Sequence, residues 1–177
     1  MNISATFPPK SAVEVFKLLP EGTLCEVLNN ILYMSPAAAH EHQRVSVTLT
    51  AQIYSFVTRK KVGEIFHAPI DVFLDENNAF QPDIIFISKE NSGHLIQGGG
   101  FEGAPDLVIE ILSPFNKSRD LVTKRRVYER TGVKEYWIVD PVTKEVVGFM
   151  GKDRSFQPLP SSKGKIKSLL LKKTFSF

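Results

Sequence analysis

PDLVIEILSPFNKSRDLVTKRRVYERTGVKEYWIVDP, residues 105–141, reads as a strand, a helix and a second strand in close succession. On the two-residue period of a strand, Leu107, Ile109 and Ile111 share one face, and Asp106, Val108, Glu110 and Leu112 share the other. Glu110 is a carboxylate among Val, Ile and Leu. Burying it unpaired is costly, so a lysine partner, a metal or an opening to solvent is expected. The helix predicted over about Asp120–Thr131 supplies a candidate partner. Leu121, Lys124, Tyr128 and Thr131 follow helical spacing with Val127 beside them, which places Lys124 on the less polar face. Arg125, Arg126, Glu129 and Arg130 point largely elsewhere, toward solvent or phosphates. Asp120 suits the positive end of the helix and Gly132 suits a left-handed cap. Glu135–Val139, dense in aromatic and β-branched residues, is the second strand, and Asp140-Pro141 ends it.

Working outward, the other elements fit one α/β domain. At 177 residues and 42% hydrophobic composition the chain can bury a substantial core, and neither repeats nor a second domain boundary are evident. Residues 13–19 suggest a short docking helix, and Leu24–Met34 a strand pair broken at Asn29-Asn30, with Glu26 between apolar neighbours. Val45, Leu49, Ile53, Phe56 and Val57 form the apolar stripe of a helix over about His40–Thr58, with Glu41 in its first turn. Gly63–Leu74 is extended but interrupted by Pro69. Gln81-Pro82-Asp83 leads into the apolar strand Ile84–Ile87. The glycine-rich segment 88–103 reads as a flexible connection without the context of a phosphate loop. Glu145–Met150 is expected to pair with the Trp137 strand. Residues 151–164 read as polar and broken, and 166–175 as a final extended segment or short helix.

Composition narrows the function classes. The single Cys25 excludes an intramolecular disulfide and a cysteine-based zinc cluster, and fits a reducing compartment. No HExxH motif occurs, and His40 and His42 lack the four-residue spacing that aligns two ligands on a helix. No long apolar run or leader pattern is evident, so a cytoplasmic protein with no membrane partner is expected. A net charge of +3 permits an acidic partner, and the basic residues concentrate around 59–61, 117–134 and 163–173.

The candidate chemistry rests on Asp83 at the start of one strand, Glu110 within another and Lys124 on the following helix, with Glu41 as a fourth member. Two carboxylates on neighbouring strands can hold Mg²⁺ or Mn²⁺ through hard oxygen ligands, with the carbonyl of Ile111 as a further donor. Lys124 would orient a water or stabilise a phosphoryl transition state. Asp106 also follows a proline, but four residues from Glu110 along a strand is too far for one ion, and it is read as a structural strand start.

The order QPDIIFI, GAPDLVIEILSP and RDLVTKRRVYERTGVKEYWIVDP resembles the Uma-type restriction endonuclease family, formerly a domain family of unknown function, within the PD-(D/E)xK nuclease superfamily. The resemblance covers about residues 13–175 and is most specific over 81–141. It implies a restriction-endonuclease-like α/β core, a mixed β-sheet flanked by α-helices, carrying a Mg²⁺-dependent phosphodiesterase cleft. Asp83 and Glu110 match the motif acids and Glu41 the acid contributed by the first core helix. The lysine usual two positions beyond the glutamate is replaced by Leu112, so the amine is assigned to Lys124, with Tyr128 positioning it. The expectation is a metal-dependent endonuclease acting on DNA, contacted by Arg119, Arg125, Arg126 and Arg130, in a possible homodimer. A catalytically inactive DNA-binding or assembly module of the same fold, and a different metal-assisted hydrolase, are the alternatives.

Overall fold

The computed structural model describes residues 8–113 and 119–177, the side chains of 119–121 excepted. Its centre is the parallel pair β8 (Leu107–Ile111) and β9 (Glu135–Val139), in register from Leu107 opposite Glu135 to Ile111 opposite Val139. A π-helical turn, Arg119–Lys124, continues into α3 (Arg125–Thr131), and Gly132 ends α3 with φ 98°. A side chain disfavours that left-handed conformation, which is why glycine terminates the helix here.

Four antiparallel strands extend this pair into a six-stranded mixed sheet. β6 (Ile84–Ser88) and β3 (Gly63–His67) lie on one side, and β10 (Glu145–Lys152) and β11 (Ser155–Lys163) on the other. A second sheet has the order β2-β1-β5-β4-β7, from Ile31–Met34, Cys25–Leu28, Asn78–Phe80, Val72–Asp75 and Phe101–Glu102. The remaining elements are α1 (Ala12–Phe16), α2 (His40–Lys60), a 3₁₀ turn over Lys89–His94, and the hairpin β12 (Lys165–Ser168) with β13 (Lys173–Ser176).

The predicted alternation along β8 sorts the core into two layers. Leu107, Ile109 and Ile111 pack with Val45, Leu49, Ile53 and Val57 of α2 and with Ile166 and Phe175 of the final hairpin. Val108 and Leu112 pack with Val127 and Tyr128 of α3 and with Val72 and Phe80 of the second sheet. Glu110 therefore looks toward α3, as its strand parity requires.

Two expectations change. Residues 151–164 are largely strand: β11 pairs with β10 across seven register positions, and Phe156 stacks on Tyr136 and Phe149 with ring centroids 5.9 and 5.7 Å away. Its prolines are tolerated because β11 is an edge strand, where a missing N–H interrupts no second ladder. The 88–103 connection is also partly ordered, since β7 adds to β4 in parallel.

Asp106, at the entry to β8, is almost fully buried. Its carboxylate accepts from the Ser88 N–H at 2.7 Å and pairs with the Lys134 amine. Burial pushes its carboxyl up, but the Lys134 amine and the Ser88 N–H together hold it below the usual aspartate value. A depressed folded-state pKa means this stabilisation is fully present above about pH 4, the ordinary aspartate range, and is lost as pH falls through the lower folded value. The Asp106→Asn variant is expected to lose about 1–3 kcal/mol at neutral pH and to show a flatter acid limb in its stability profile. Chemical denaturation from pH 7 to pH 3 measures both; an unchanged acid limb would remove Asp106 from this role.

Candidate active site

Asp83 immediately precedes β6, and Glu110 lies near the end of β8. These strands are antiparallel neighbours, with Ile84 opposite Ile109, so the start of one adjoins the end of the other. The backbone N–H of Ile111 donates to Asp83 Oδ2 at 2.7 Å, fixing one acid to the strand that carries the other.

α3 and the turn before it supply the groups facing Glu110. Lys124 Nζ donates to Glu110 Oε1 at 3.1 Å and to Glu26 Oε1 at 2.8 Å, with each of the three side chains no more than 6% exposed. Tyr128, one turn on, donates from its hydroxyl to the same Glu110 oxygen at 2.7 Å. Burial and the neighbouring Glu110 charge hold the tyrosine hydroxyl well above its ordinary pKa, so it remains a hydrogen-bond donor. Lys124 also lies 5.5 Å from the centroid of the Phe80 ring, whose negative face favours the ammonium. The π-helical turn ends at Lys124, a wider winding of the kind that recurs at functional sites.

Two further residues complete the wall. Glu26 is fully within β1 and also accepts from the Gln81 N–H at 2.9 Å. His42, on the buried stripe of α2, places Nε2 3.0 Å from Asp83 Oδ1. Glu26, His42, Asp83, Glu110, Ile111 and Lys124 line one open cavity of about 500 Å³.

Three of the four candidate catalytic residues, Asp83, Glu110 and Lys124, thus meet in one cavity, with Ile111 beside them. Glu41 does not line it: one residue from His42, it turns about 100° around the helix and pairs with His40 at the surface. Tyr128 contacts Glu110 rather than Lys124. Among the candidate phosphate contacts, Arg126 is exposed, Arg125 packs 5.1 Å from the Phe149 ring centroid, and Arg130 pairs with Asp75 at 2.9 Å. The side chain of Arg119 lies outside the described residues.

Glu26 and His42 are the members that sequence reasoning left out. Both had a signal. Glu26 interrupts Cys25-Glu26-Val27-Leu28 as Glu110 interrupts its own strand, and His42 falls three and seven residues before Val45 and Leu49 on the apolar stripe.

Three carboxylates face one ammonium in this cavity, leaving an excess of two negative charges, or one when His42 is protonated. Such an oxygen-rich, electronegative wall suits a hard divalent cation. Among the described residues no three His, Cys, Asp or Glu side chains converge enough to enclose an ion themselves. That is compatible with Mg²⁺, which commonly takes one or two carboxylates and completes its shell with water and substrate phosphate.

A mixed sheet flanked by helices is the architecture of the restriction-endonuclease-like nucleases, and in this chain the acids stand at adjacent strand ends with the lysine on the following helix. The chain belongs to the Uma2 family, described as "Putative restriction endonuclease", whose model matches residues 13–174. It is therefore a member of the PD-(D/E)xK-like nuclease superfamily. Its fold is similar to the crystal structure of a "putative nuclease belonging to DUF820" from Anabaena variabilis ATCC 29413. The TM-score is 0.70 at 19% identity over 85% of this chain and 84% of that one, which establishes the likeness of fold. No curated protein matches the chain. Among the described residues no helix is long and apolar enough to cross a membrane.

Proposed function

We propose that the protein is a Mg²⁺-dependent endonuclease that hydrolyses DNA phosphodiester bonds in the cavity between β6, β8 and α2. The observation carrying this reading is the meeting of Asp83, Glu110 and Lys124 on one solvent-reachable wall within a nuclease-superfamily fold. Asp83 and Glu110 would hold the ion. Bound there, it would neutralise phosphoryl charge and make a water more acidic.

The chain's own groups then have separable tasks. His42 and the Ile111 N–H hold both oxygens of Asp83 in place. Tyr128 does the same for Glu110, and Glu26 keeps the Lys124 amine at the cavity wall. Lys124 supplies positive charge as negative charge develops on the phosphoryl oxygens during attack by water. The new P–O bond forms as the bond to the departing sugar oxygen breaks, and that oxygen takes up a proton.

Cleavage of a DNA duplex with Mg²⁺ or Mn²⁺, together with measurable binding of Mn²⁺ alone, tests the reading. A specific observation favours a second one: Leu112 stands at the usual lysine position, and no three-side-chain ion cage forms among the described residues. DNA binding with neither ion uptake nor cleavage would support an inactive nuclease-fold module.

Exposed Arg126 on α3 is assigned to the DNA backbone. The Arg126→Ala variant is expected to weaken binding across sequences alike and to reduce the salt slope by about one. Fluorescence anisotropy over a salt series measures it, and an unchanged slope would place the DNA path elsewhere.

A further inference from the structure

We infer that the cavity holds, beside its acid pair, a subsite for one nucleobase, and that the strand cleaved there presents a nucleotide already free of its complement. The inference rests on the nuclease reading and names the form of DNA that the cavity takes. A hydrated ion and one phosphate fill only part of the cavity's volume of about 500 Å³. That volume lies within the roughly 300–1,000 Å³ of sites that enclose whole small molecules. The charged groups form one contiguous cluster: Lys124 joins Glu26 to Glu110, and Asp83 is tied to Ile111, the next residue along β8. Among the described residues no other carboxylate, lysine or arginine lines the cavity. The rest of the wall therefore suits neither a metal ion nor a second phosphate. An uncharged group attached to a phosphate matches the two parts together, and a nucleotide supplies both.

The chain builds that second part from small and neutral residues. Ser35, Pro36, Ala37, Ala38 and Ala39, which lead into α2, line it with nothing bulkier than proline. Ala68 and Pro69, just after β3, add a further apolar stretch. Such walls leave room for a flat ring, whose faces rest on apolar side chains once a base has left its stack. Hydrogen-bonding groups stand beside them. Gln43 and Ser46 of α2, with the exposed His67 at the end of β3, bring an amide, a hydroxyl and an imidazole into the lining. Among the described residues neither Gln43 nor Ser46 commits its side chain to a hydrogen bond within the chain. His67 engages Nδ1, 2.9 Å from the Ala68 carbonyl oxygen, which leaves Nε2 for a ligand. Groups of this kind meet the polar edge of a base. The subsite adjoins the reacting end through the backbone: the Ala68 N–H donates to the Asp83 carbonyl oxygen at 2.9 Å, and His67 pairs with Ile84, the next residue. A base seated there belongs to the nucleotide whose phosphate lies at Asp83. Inside a duplex that base must first be unpaired and unstacked, a cost that falls away in a single strand.

Three substrates of equal length, offered to the whole chain with Mn²⁺, test the subsite: a mixed-sequence DNA strand, the same strand in a perfect duplex, and an abasic strand of tetrahydrofuran phosphodiesters. The single DNA strand is expected to be cleaved with a kcat/KM about 100-fold above either of the others. The variant Gln43→Ala/His67→Ala should lose about 10-fold on the DNA strand, chiefly through KM, and stay level with the parent on the abasic one. Circular dichroism checks that the variant keeps its fold. Equal cleavage of the DNA and abasic strands, equal cleavage of the strand and the duplex, or a variant that loses as much on the abasic strand would each overturn the proposal. Cleavage of none of the three would end the nuclease reading instead. Fluorescence anisotropy without metal then decides the subsite: tighter binding of the DNA strand than of the abasic strand, weakened in the variant, upholds it, and equal binding ends it.

Discussion

In the Asp83→Asn variant, DNA cleavage is expected to fall by about 1,000-fold, within the range lost with a positioned catalytic group. The reason lies in both oxygens of the carboxylate. Oδ1 lies 3.0 Å from His42 Nε2, and Oδ2 accepts from the Ile111 N–H. Asparagine presents one acceptor and one donor and carries no charge, so the turn that sets its N–H₂ group toward Ile111 leaves that N–H unmatched. The substitution thus removes the charge a divalent ion would use and also disturbs the link between β6 and β8. The structural part should cost about 1–3 kcal/mol, the penalty of one unmatched buried donor. Mn²⁺ titration, plasmid cleavage and thermal unfolding separate the two effects. A folded variant that cleaves like the parent would end the role of Asp83 in hydrolysis. A parent without cleavage or ion uptake would instead favour the inactive module.

Parts of this site were legible because each residue breaks a local pattern. Glu110 is a charge where strand parity demands an apolar residue, and Lys124 is a charge on the inward side of an otherwise well-sorted helix. Each anomaly needs the other, and the strand-to-helix connection is short enough to make the pairing readable. Glu26 presents the same anomaly, but its partner Lys124 is 98 residues away, and no local rule connects β1 with α3. His42 lacks metal-ligand spacing with His40, and its phase relative to Val45 and Leu49 is the informative quantity. In a helix, neighbouring positions point about 100° apart, so choosing Glu41 over His42 changes the face entirely.

The fold divides along a similar line. β8, α3 and β9 carry strong periodicity and are where the sequence places them, as is the helix after His40. β11 was obscured by Pro158 and Pro160, which argue against a strand only while its place at the sheet edge is unknown. The last segment closes as the β12–β13 hairpin. A hairpin is fixed there by tertiary contacts: Glu135 of β9 accepts from the Leu170 N–H at 2.7 Å, and Gln52 of α2 bonds Ser176. Neither contact has a local sequence signature.

Lys124→Met should be the most destabilising substitution in the cavity. Methionine replaces most of the lysine stem, so the cost is electrostatic rather than a packing void. Glu26 and Glu110, 6% and 4% exposed, lose the ammonium they share. Removing one partner from a buried ionic cluster costs about 3–5 kcal/mol, since the charges left behind stay desolvated. At about 2–4 °C per kcal/mol for a domain of this size, unfolding should come about 10 °C earlier. The triple variant Glu26→Gln/Glu110→Gln/Lys124→Met removes all three charges. Its amide oxygens still accept from the Gln81 N–H and the Tyr128 hydroxyl, the two contacts the carboxylates make at 2.9 and 2.7 Å. Most of the lost stability should therefore return in the triple variant, whereas cleavage should not, because stability needs only balanced charge and hydrolysis needs these charges. Calorimetry and cleavage assays on the parent, single and triple variants measure the separation. If Lys124→Met unfolds at the parent's temperature, the amine does not hold the two acids together. If it also cleaves at the parent's rate, the phosphoryl charge is stabilised by another group.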